Sequence, residues 1–198
     1  MKDPRFVGLI LAAGRGKRLG KGPKAFVKIA DETLLERARR MLHEVGVTDI
    51  VAVLPPESDT GPVPDDLFVT RNPRPESGPL KSTQLGLQRM GEIAGITGVV
   101  LYPVDHHQIS AEDIRPLLDA APLVEPGVSR VVPSYYGTGG HPIVILELGL
   151  KAIWDSEAPE HDTLRGILSE AGTTRYIEAG GEGILRNLNT PEDLKGQG

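Results

Sequence analysis

An apolar run from Phe6 to Ala12 stops abruptly, and the loop after it carries glycines 14, 16, 20 and 22. A short apolar run bounded by turn residues is the pattern of a strand buried on both faces. Asp49–Leu54 and Val99–Val104 repeat it, and Leu67–Thr70, Arg130–Pro133 and Ile143–Ile145 read as shorter strands. Between them the spacing turns helical. Leu34, Leu35, Ala38, Met41, Leu42 and Val45 recur at helical intervals from Glu32 to Val45, with Gly46 as a C-cap. The segment Glu76–Leu87 is followed by a helical pattern to about Ala94, and helical patterns also cover the segment after Ile145 to about Trp154 and Thr163–Ala171. Ser110–Asp113 reads as a helix start, while Pro116 predicts two short turns or a helix beginning late. Ala25–Ile29 is a short strand or an extended connection, and residues 55–66 form a loop left unassigned. Thr174–Glu178 and Gly183–Leu188 read as short strands, and Thr190–Leu194 as a last helical turn. Strands alternating with helices predict an α/β fold, a mostly parallel sheet covered on both faces. No internal repeat or domain boundary is visible.

Composition narrows the class. The 198 residues suit one domain with a sizeable core, and 39% hydrophobic with 25% charged residues reads as soluble and globular. The net charge of −5 offers nucleic acid no general attraction, so the cations Arg15, Lys17, Arg18, Lys21 and Lys24 form a local feature. There are no cysteines, which excludes disulfides, thiolate metal sites and cysteine nucleophiles. The N-terminus lacks the apolar core of a signal peptide and the run at 6–13 is too short to span a bilayer, so a cytoplasmic protein with no membrane partner is expected.

The glycine-rich loop is the first candidate for chemistry. A buried strand feeding such a loop lets backbone N–H groups approach an anion, and cations on the same loop neutralise it. The carboxyl end of a parallel strand is where open α/β sheets bind ligands, so a polyphosphate site is expected there. It is not a P-loop, because neither Gly14 nor Gly16 has a glycine five positions on, and Leu19 replaces the third glycine of the dinucleotide fingerprint. A surface turn with solvated charges is the plain alternative.

Asp105 directly follows an apolar strand, a suitable place for a Mg²⁺ ligand, since Mg²⁺ takes one or two protein oxygens plus phosphate oxygens and water. A loop cap would explain the same carboxylate, and the neighbouring His106 and His107 read as bystanders. Alternation puts Asn187 and Asn189 on one side of a strand, although Asn189-Thr-Pro-Glu also reads as a helix cap with proline at the first position. By themselves His141 and Ser82 are an ordinary loop histidine and an ordinary helix-start serine.

Residues 11–14, 18–20 and 23–24 match the nucleotidyltransferase signature Leu-Ala-Ala-Gly-x-x-x-Arg-Met/Leu-Gly-x-Pro-Lys. Three more segments match in order: Gly78-x-x-x-Ser82-x-x-x-Gly86-Leu87, Gly139-Gly-His-Pro142 and Asn187-Leu-Asn-Thr-Pro-Glu-Asp-Leu194, and Tyr102-Pro-Val-Asp105 is like the family's metal segment. The chain therefore resembles the molybdopterin-type nucleotidyltransferases, with the cytidylyltransferase branch nearest. Two departures stand out. Asn187 and Asn189 replace the aspartates usual in that branch and look more like the guanylyltransferase branch, and the acceptor-side Gly-Asp-x-Gly-Ala-Arg stretch survives only as His161-Asp-Thr-Leu-Arg165.

The resemblance implies a three-layer, Rossmann-like nucleotidyltransferase fold forming one domain over residues 1–198. Its nucleotide-binding part would be about 1–105 and its acceptor-binding part about 106–198. It implies a Mg²⁺- (or Mn²⁺-) dependent transfer of a nucleoside monophosphate from a triphosphate, CTP first and GTP second, to a phosphorylated acceptor such as molybdopterin. Lys24, Arg18 and Asp105 would be catalytic. Leu11, Ala12, Ala13, Gly14, Arg15, Gly16, Lys24, Asn72, Gly78 and Ser82 would bind the nucleotide. Asp105 and Asn189 would hold the metal, and Gly140, His141 and Pro142 the acceptor. A molybdoenzyme or a chaperone is a conceivable partner. The rival readings are transfer to a sugar 1-phosphate or another phosphorylated small molecule, and a nucleotide-binding or cofactor-chaperone module without turnover.

Overall fold

A computed structural model describes residues 3–16, 20, 22–56, 61–91, 95–157 and 163–194. The three apolar runs form the centre of one sheet: β1 (Phe6–Leu11), β4 (Ile50–Leu54) and β6 (Gly98–Pro103). The remaining strands of that sheet are β5 (Phe68–Arg71), β7 (Val128–Tyr135), β8 (Thr138–Gly139), β9 (Ile143–Ile145) and β10 (Thr173–Glu178). The order is β10-β7-β9-β6-β1-β4-β5, with β8 paired to β7. β5, β4, β1 and β6 are mutually parallel, β10 is parallel to β7, and β9 runs antiparallel to both of its neighbours. A separate antiparallel pair, β2 (Lys28–Ile29) and β3 (Glu32–Thr33), lies outside the sheet.

Alternation along the strands divides the core into two layers. Ile10, Ala52, Val100 and Tyr102 pack with Leu34, Leu35 and Leu42 of α1 (Leu34–Glu44) and with Ile114 and Leu117 of α3 (Ala111–Ala120). Leu9, Val51, Val53 and Leu101 point to the other side. They meet Leu80 and Leu87 of α2 (Gly78–Met90), Ile153 of α4 (Glu147–Asp155) and Leu168 of α5 (Leu164–Ala171). The three-layer α/β expectation holds. No helix among the described residues is long and apolar enough to cross a membrane.

Local differences from the sequence reading have physical causes. Thr33 and Glu36 form a reciprocal capping box, so α1 starts at Leu34 and leaves Glu32–Thr33 extended. Ser110 and Asp113 cap α3 in the same way. That helix runs unbroken through Pro116, correcting the expected late start or two turns: Pro116, sixth of its ten residues, removes one backbone donor, while the capping box and the buried Ile114, Leu117 and Leu118 hold the rest. Lys24–Phe26 is a 3₁₀ turn ahead of β2, and Glu182–Leu185 is another 3₁₀ turn where a strand was expected. In that second segment the backbone turns inward, and Ile184 is buried.

Gly86 has a packing role. A Cβ there would collide with Leu9 Cδ1 and lie 3.2 Å from Val53 Cγ2, so the missing side chain lets α2 lie close on β1 and β4. Overpacking at such a contact typically costs about 1–3 kcal/mol. Gly86→Val is therefore expected to lower the urea unfolding free energy by about that amount; an unchanged midpoint would refute the close approach.

Candidate active site at the switch point of the sheet

Chain order reverses direction across the sheet between β1 and β6. From β1 the chain moves outward to β4 and β5, then returns through α2 to β6 on the other side. Such a reversal opens a crevice at the carboxyl ends of the two strands, where α/β folds bind ligands. The glycine-rich loop leaves β1 on one lip and Asp105 follows β6 on the other, with Val104 N–H donating to the Leu11 carbonyl between them (3.1 Å).

The loop after β1 is pinched at its base. Lys24 N–H donates to the Gly14 carbonyl (3.2 Å), which closes the nine-residue excursion between them and returns Lys24 to the site. Gly16 has φ of +60°, and a Cβ there would collide with the Gly22 carbonyl. Only glycine suits that position. Arg15 lies on the described part of the loop, whereas Lys17, Arg18, Leu19 and Lys21 lie outside the described residues.

Lys24 reaches across the crevice. Its Nζ donates to Asp105 Oδ2 (2.7 Å) and to Asn189 Oδ1 (2.9 Å), bringing three separate sequence motifs to one point. Asn189 is oriented by its surroundings. Its Nδ2 donates to Asn187 Oδ1 (2.8 Å), which turns Oδ1 toward Lys24, and the N–H groups of Asn189 and Thr190 both donate to Asp193 Oδ2 (2.8 Å each). Those two bonds hold the Asp193 carboxyl below its ordinary range.

The loop bearing Asp105 is fixed by its carbonyls. The Asp105 carbonyl accepts from Leu188 N–H (2.8 Å), that of His106 from the Tyr102 hydroxyl (3.2 Å), and that of His107 from Arg37 Nε. The sequence reading missed Tyr102 and Arg37. Tyr102 counts as one apolar residue in a strand, and Arg37 falls on the polar side of an amphipathic helix, so neither carries a local signal.

Other predicted residues sit around this centre. Ala12 and Ala13 are buried and Leu11 half-buried at the end of β1. Asn72, nearly inaccessible at 1% exposure, donates from Nδ2 to Ser82 Oγ (3.0 Å) and accepts from Arg74 N–H (2.9 Å). These two candidates thus bind each other and fix the start of α2, where Gly78 has φ of +85°. The Gly140–Pro142 loop joins through histidine. His141 N–H donates to the Ile184 carbonyl (2.9 Å), and the His141 and His106 rings meet edge to face with centroids 4.8 Å apart. Gly140 packs so tightly on Ile184 that a Cβ would lie 2.5 Å from its carbonyl oxygen. Asp162 and His161 lie outside the described residues. A cleft of about 480 Å³ lined by Glu36, Arg39, Val63 and Asp66 contains none of the predicted site residues.

A carboxylate oxygen and an amide oxygen meeting at an ammonium mark a place suited to a cation. These hard oxygens suit Mg²⁺ or Mn²⁺. Among the described residues no three His, Cys, Asp or Glu side chains cluster as a metal centre. A metal at Asp105 and Asn189 would therefore complete its shell with phosphate oxygens and water, as Mg²⁺ does.

The sheet order and the crevice at its switch point place the chain among the α/β proteins that bind ligands at the carboxyl ends of their strands. Residues 8–174 match the MobA-like NTP transferase domain, and the chain belongs to that family. Over 193 residues it is 28% identical to 2-C-methyl-D-erythritol 4-phosphate cytidylyltransferase of Corynebacterium glutamicum, covering 94% of this chain and 67% of that protein. A 67-residue stretch is 46% identical to the enzyme of the same name from Saccharopolyspora erythraea, spanning 33% of this chain but only 30% of that one. A shorter stretch of 51 residues is 45% identical to nicotine blue oxidoreductase of Paenarthrobacter nicotinovorans, 26% of this chain and 25% of that protein. Among solved structures, Rv0371c of Mycobacterium tuberculosis superimposes with a TM-score of 0.75 at 20% identity, covering 96% of both chains. A second Rv0371c structure, a complex with manganese, gives 0.65 at 19% identity and covers 89% of both.

Burial pushes the His141 imidazole down to about 4, with the adjacent His106 ring a secondary cause; burial also lowers His106. A histidine depressed in the native state is protonated first in the unfolded chain. Its stabilising contribution is complete above the unfolded value of about 6.5 and is lost as pH falls toward 4. Unfolding free energy is thus expected to drop from pH 6.5 to 4 more steeply in the wild type than in His141→Gln. Parallel profiles would show that His141 titrates normally.

Proposed function

We propose that this chain transfers CMP from CTP to a phosphorylated small-molecule acceptor, with release of pyrophosphate. The observation that carries this reading is the convergence of Lys24, Asp105 and Asn189 on one point of the switch-point crevice. An acceptor phosphate oxygen attacks the α-phosphorus in line; the new P–O bond forms as the bond to the β-phosphate bridge breaks and pyrophosphate departs. Because the nucleophile is already an anion, no general base is required. The protein's task is positioning and charge neutralisation.

Lys24 neutralises the α-phosphate as charge develops on it, and the N–H groups of Gly14, Arg15 and Gly16, with Arg18, hold the β- and γ-phosphates. Leu11, Ala12 and Ala13 lie along the base and ribose with Gly78 opposite. Asn72 and Ser82 serve the nucleotide by fixing the start of α2. Asp105 and Asn189 would hold Mg²⁺ or Mn²⁺, which would supply Lewis-acid neutralisation of the phosphate oxygens. Gly140, His141 and Pro142 line the acceptor side, so residues to about 105 serve the nucleotide and those beyond mainly the acceptor.

Molybdopterin is the first acceptor, favoured by the resemblance of the Gly139-Gly-His-Pro142 loop. A phosphorylated polyol is the second, favoured by the name of the relative matched along most of the chain. The test is pyrophosphate release from CTP, GTP, ATP and UTP with each acceptor. Release with CTP is expected; release with GTP alone would make the two asparagines the better guide to the base, and release with none would refute transfer to either acceptor. Lys24→Ala is expected to lower kcat by about 10²–10³, the usual loss for one donor to a developing oxyanion. A Lys24→Ala enzyme at wild-type kcat removes that role. Asp105→Asn is expected to raise the Mg²⁺ concentration for half-maximal rate, and an unmoved titration would take the metal away from Asp105.

A further inference from the structure

The two oxygens assigned to the metal are already in use. Lys24 Nζ donates to both Asp105 Oδ2 and Asn189 Oδ1, at 2.7 and 2.9 Å. Asn187 orients the Asn189 amide, and Leu188 N–H holds the backbone that bears Asp105. Lys24 is tethered from behind by its own N–H on the Gly14 carbonyl. The ion pair is largely shielded, with 14% of the Lys24 and 22% of the Asp105 side chain exposed, so repulsion between two cations here is only weakly screened.

A divalent ion arriving alone must therefore displace the ammonium or lie against it. A triphosphate alters both sides of that competition. It gives the ammonium another anionic partner, and it brings the ion further hard oxygens. We infer that Lys24 determines the form in which the metal is accepted: it bars Asp105 and Asn189 to a free divalent ion and yields them to a metal–nucleotide complex. The inference rests on the assignment of Asp105 and Asn189 as metal ligands made above. It adds an order to the reaction, in which metal and triphosphate occupy the site together, each raising the other's affinity by the same factor.

The test is Mn²⁺ binding to the purified full chain without nucleotide, read by the loss of the free-ion electron paramagnetic resonance signal. Wild type is expected to bind weakly. Lys24→Met, which keeps an unbranched side chain one atom shorter and removes its charge, is expected to bind roughly 10-fold tighter, within the usual range of coupling between sites. Lys24→Arg keeps the charge and is expected to stay weak. Circular dichroism verifies folding, with Lys24→Gln as the second uncharged variant. If the uncharged variants bind Mn²⁺ no tighter than wild type, including no binding by any of them, the gating role is overturned. The double variant Lys24→Met/Asp105→Asn separates the two levels of the argument. Tight binding that survives in it shows the ion is held elsewhere, and then the metal assignment itself fails; loss of binding supports both.

Discussion

The ammonium of Lys24 held between Asp105 and Asn189 is the contact on which the site depends. Its partners lie 81 and 165 residues away in the chain, so it forms only when the loop after β1, the loop after β6 and the segment before the 3₁₀ turn Pro191–Leu194 are all in place. A partly buried charge is tolerated only when paired and hydrogen-bonded. Here the pairing is ensured by backbone: the Gly14 carbonyl positions Lys24, Leu188 N–H positions Asp105, and Asp193 positions Asn189.

Rigid support extends outward from those anchors. Tyr102 and Arg37 hold the two carbonyls after Asp105, which ties the loop bearing Asp105 to the sheet interior and to α1. Glu32 in turn accepts from Arg40 and lies 3.9 Å from Arg37, and the Arg40 contact holds the Glu32 carboxyl below its ordinary range. On the other side Asn72 and Ser82 lock the start of α2, while the absent side chain of Gly86 lets that helix settle on β1. Positioning of this kind is what a reaction without covalent catalysis requires of its enzyme.

Much of this was legible in the sequence because it is local. Apolar runs marked β1, β4 and β6, helical spacing marked α1, and glycine spacing with a terminal Pro23-Lys24 marked the loop. What escaped notice depends on partners distant in the chain. Pro116 looked disruptive, but the Ser110–Asp113 capping box carries the helix through it. Gly183–Leu188 looked extended, yet the Ile184 carbonyl is claimed by His141 N–H and the segment bends to meet it. Asn72 and Ser82 read as two ligand contacts, and their mutual bond is visible only once β5 and α2 are side by side. Arg18, prominent in the motif, lies outside the described residues.

Membership of the MobA-like NTP transferase domain family and the arrangement of the crevice agree on the class of chemistry. The central claim concerns which phosphorus is attacked. The most direct measurement is transfer of radiolabel from CTP labelled at either the α- or the γ-phosphate, with Mg²⁺ and a phosphorylated acceptor present. The account predicts α-label in the acceptor product and γ-label in pyrophosphate. Transfer of γ-label to the acceptor would identify a kinase and contradict it.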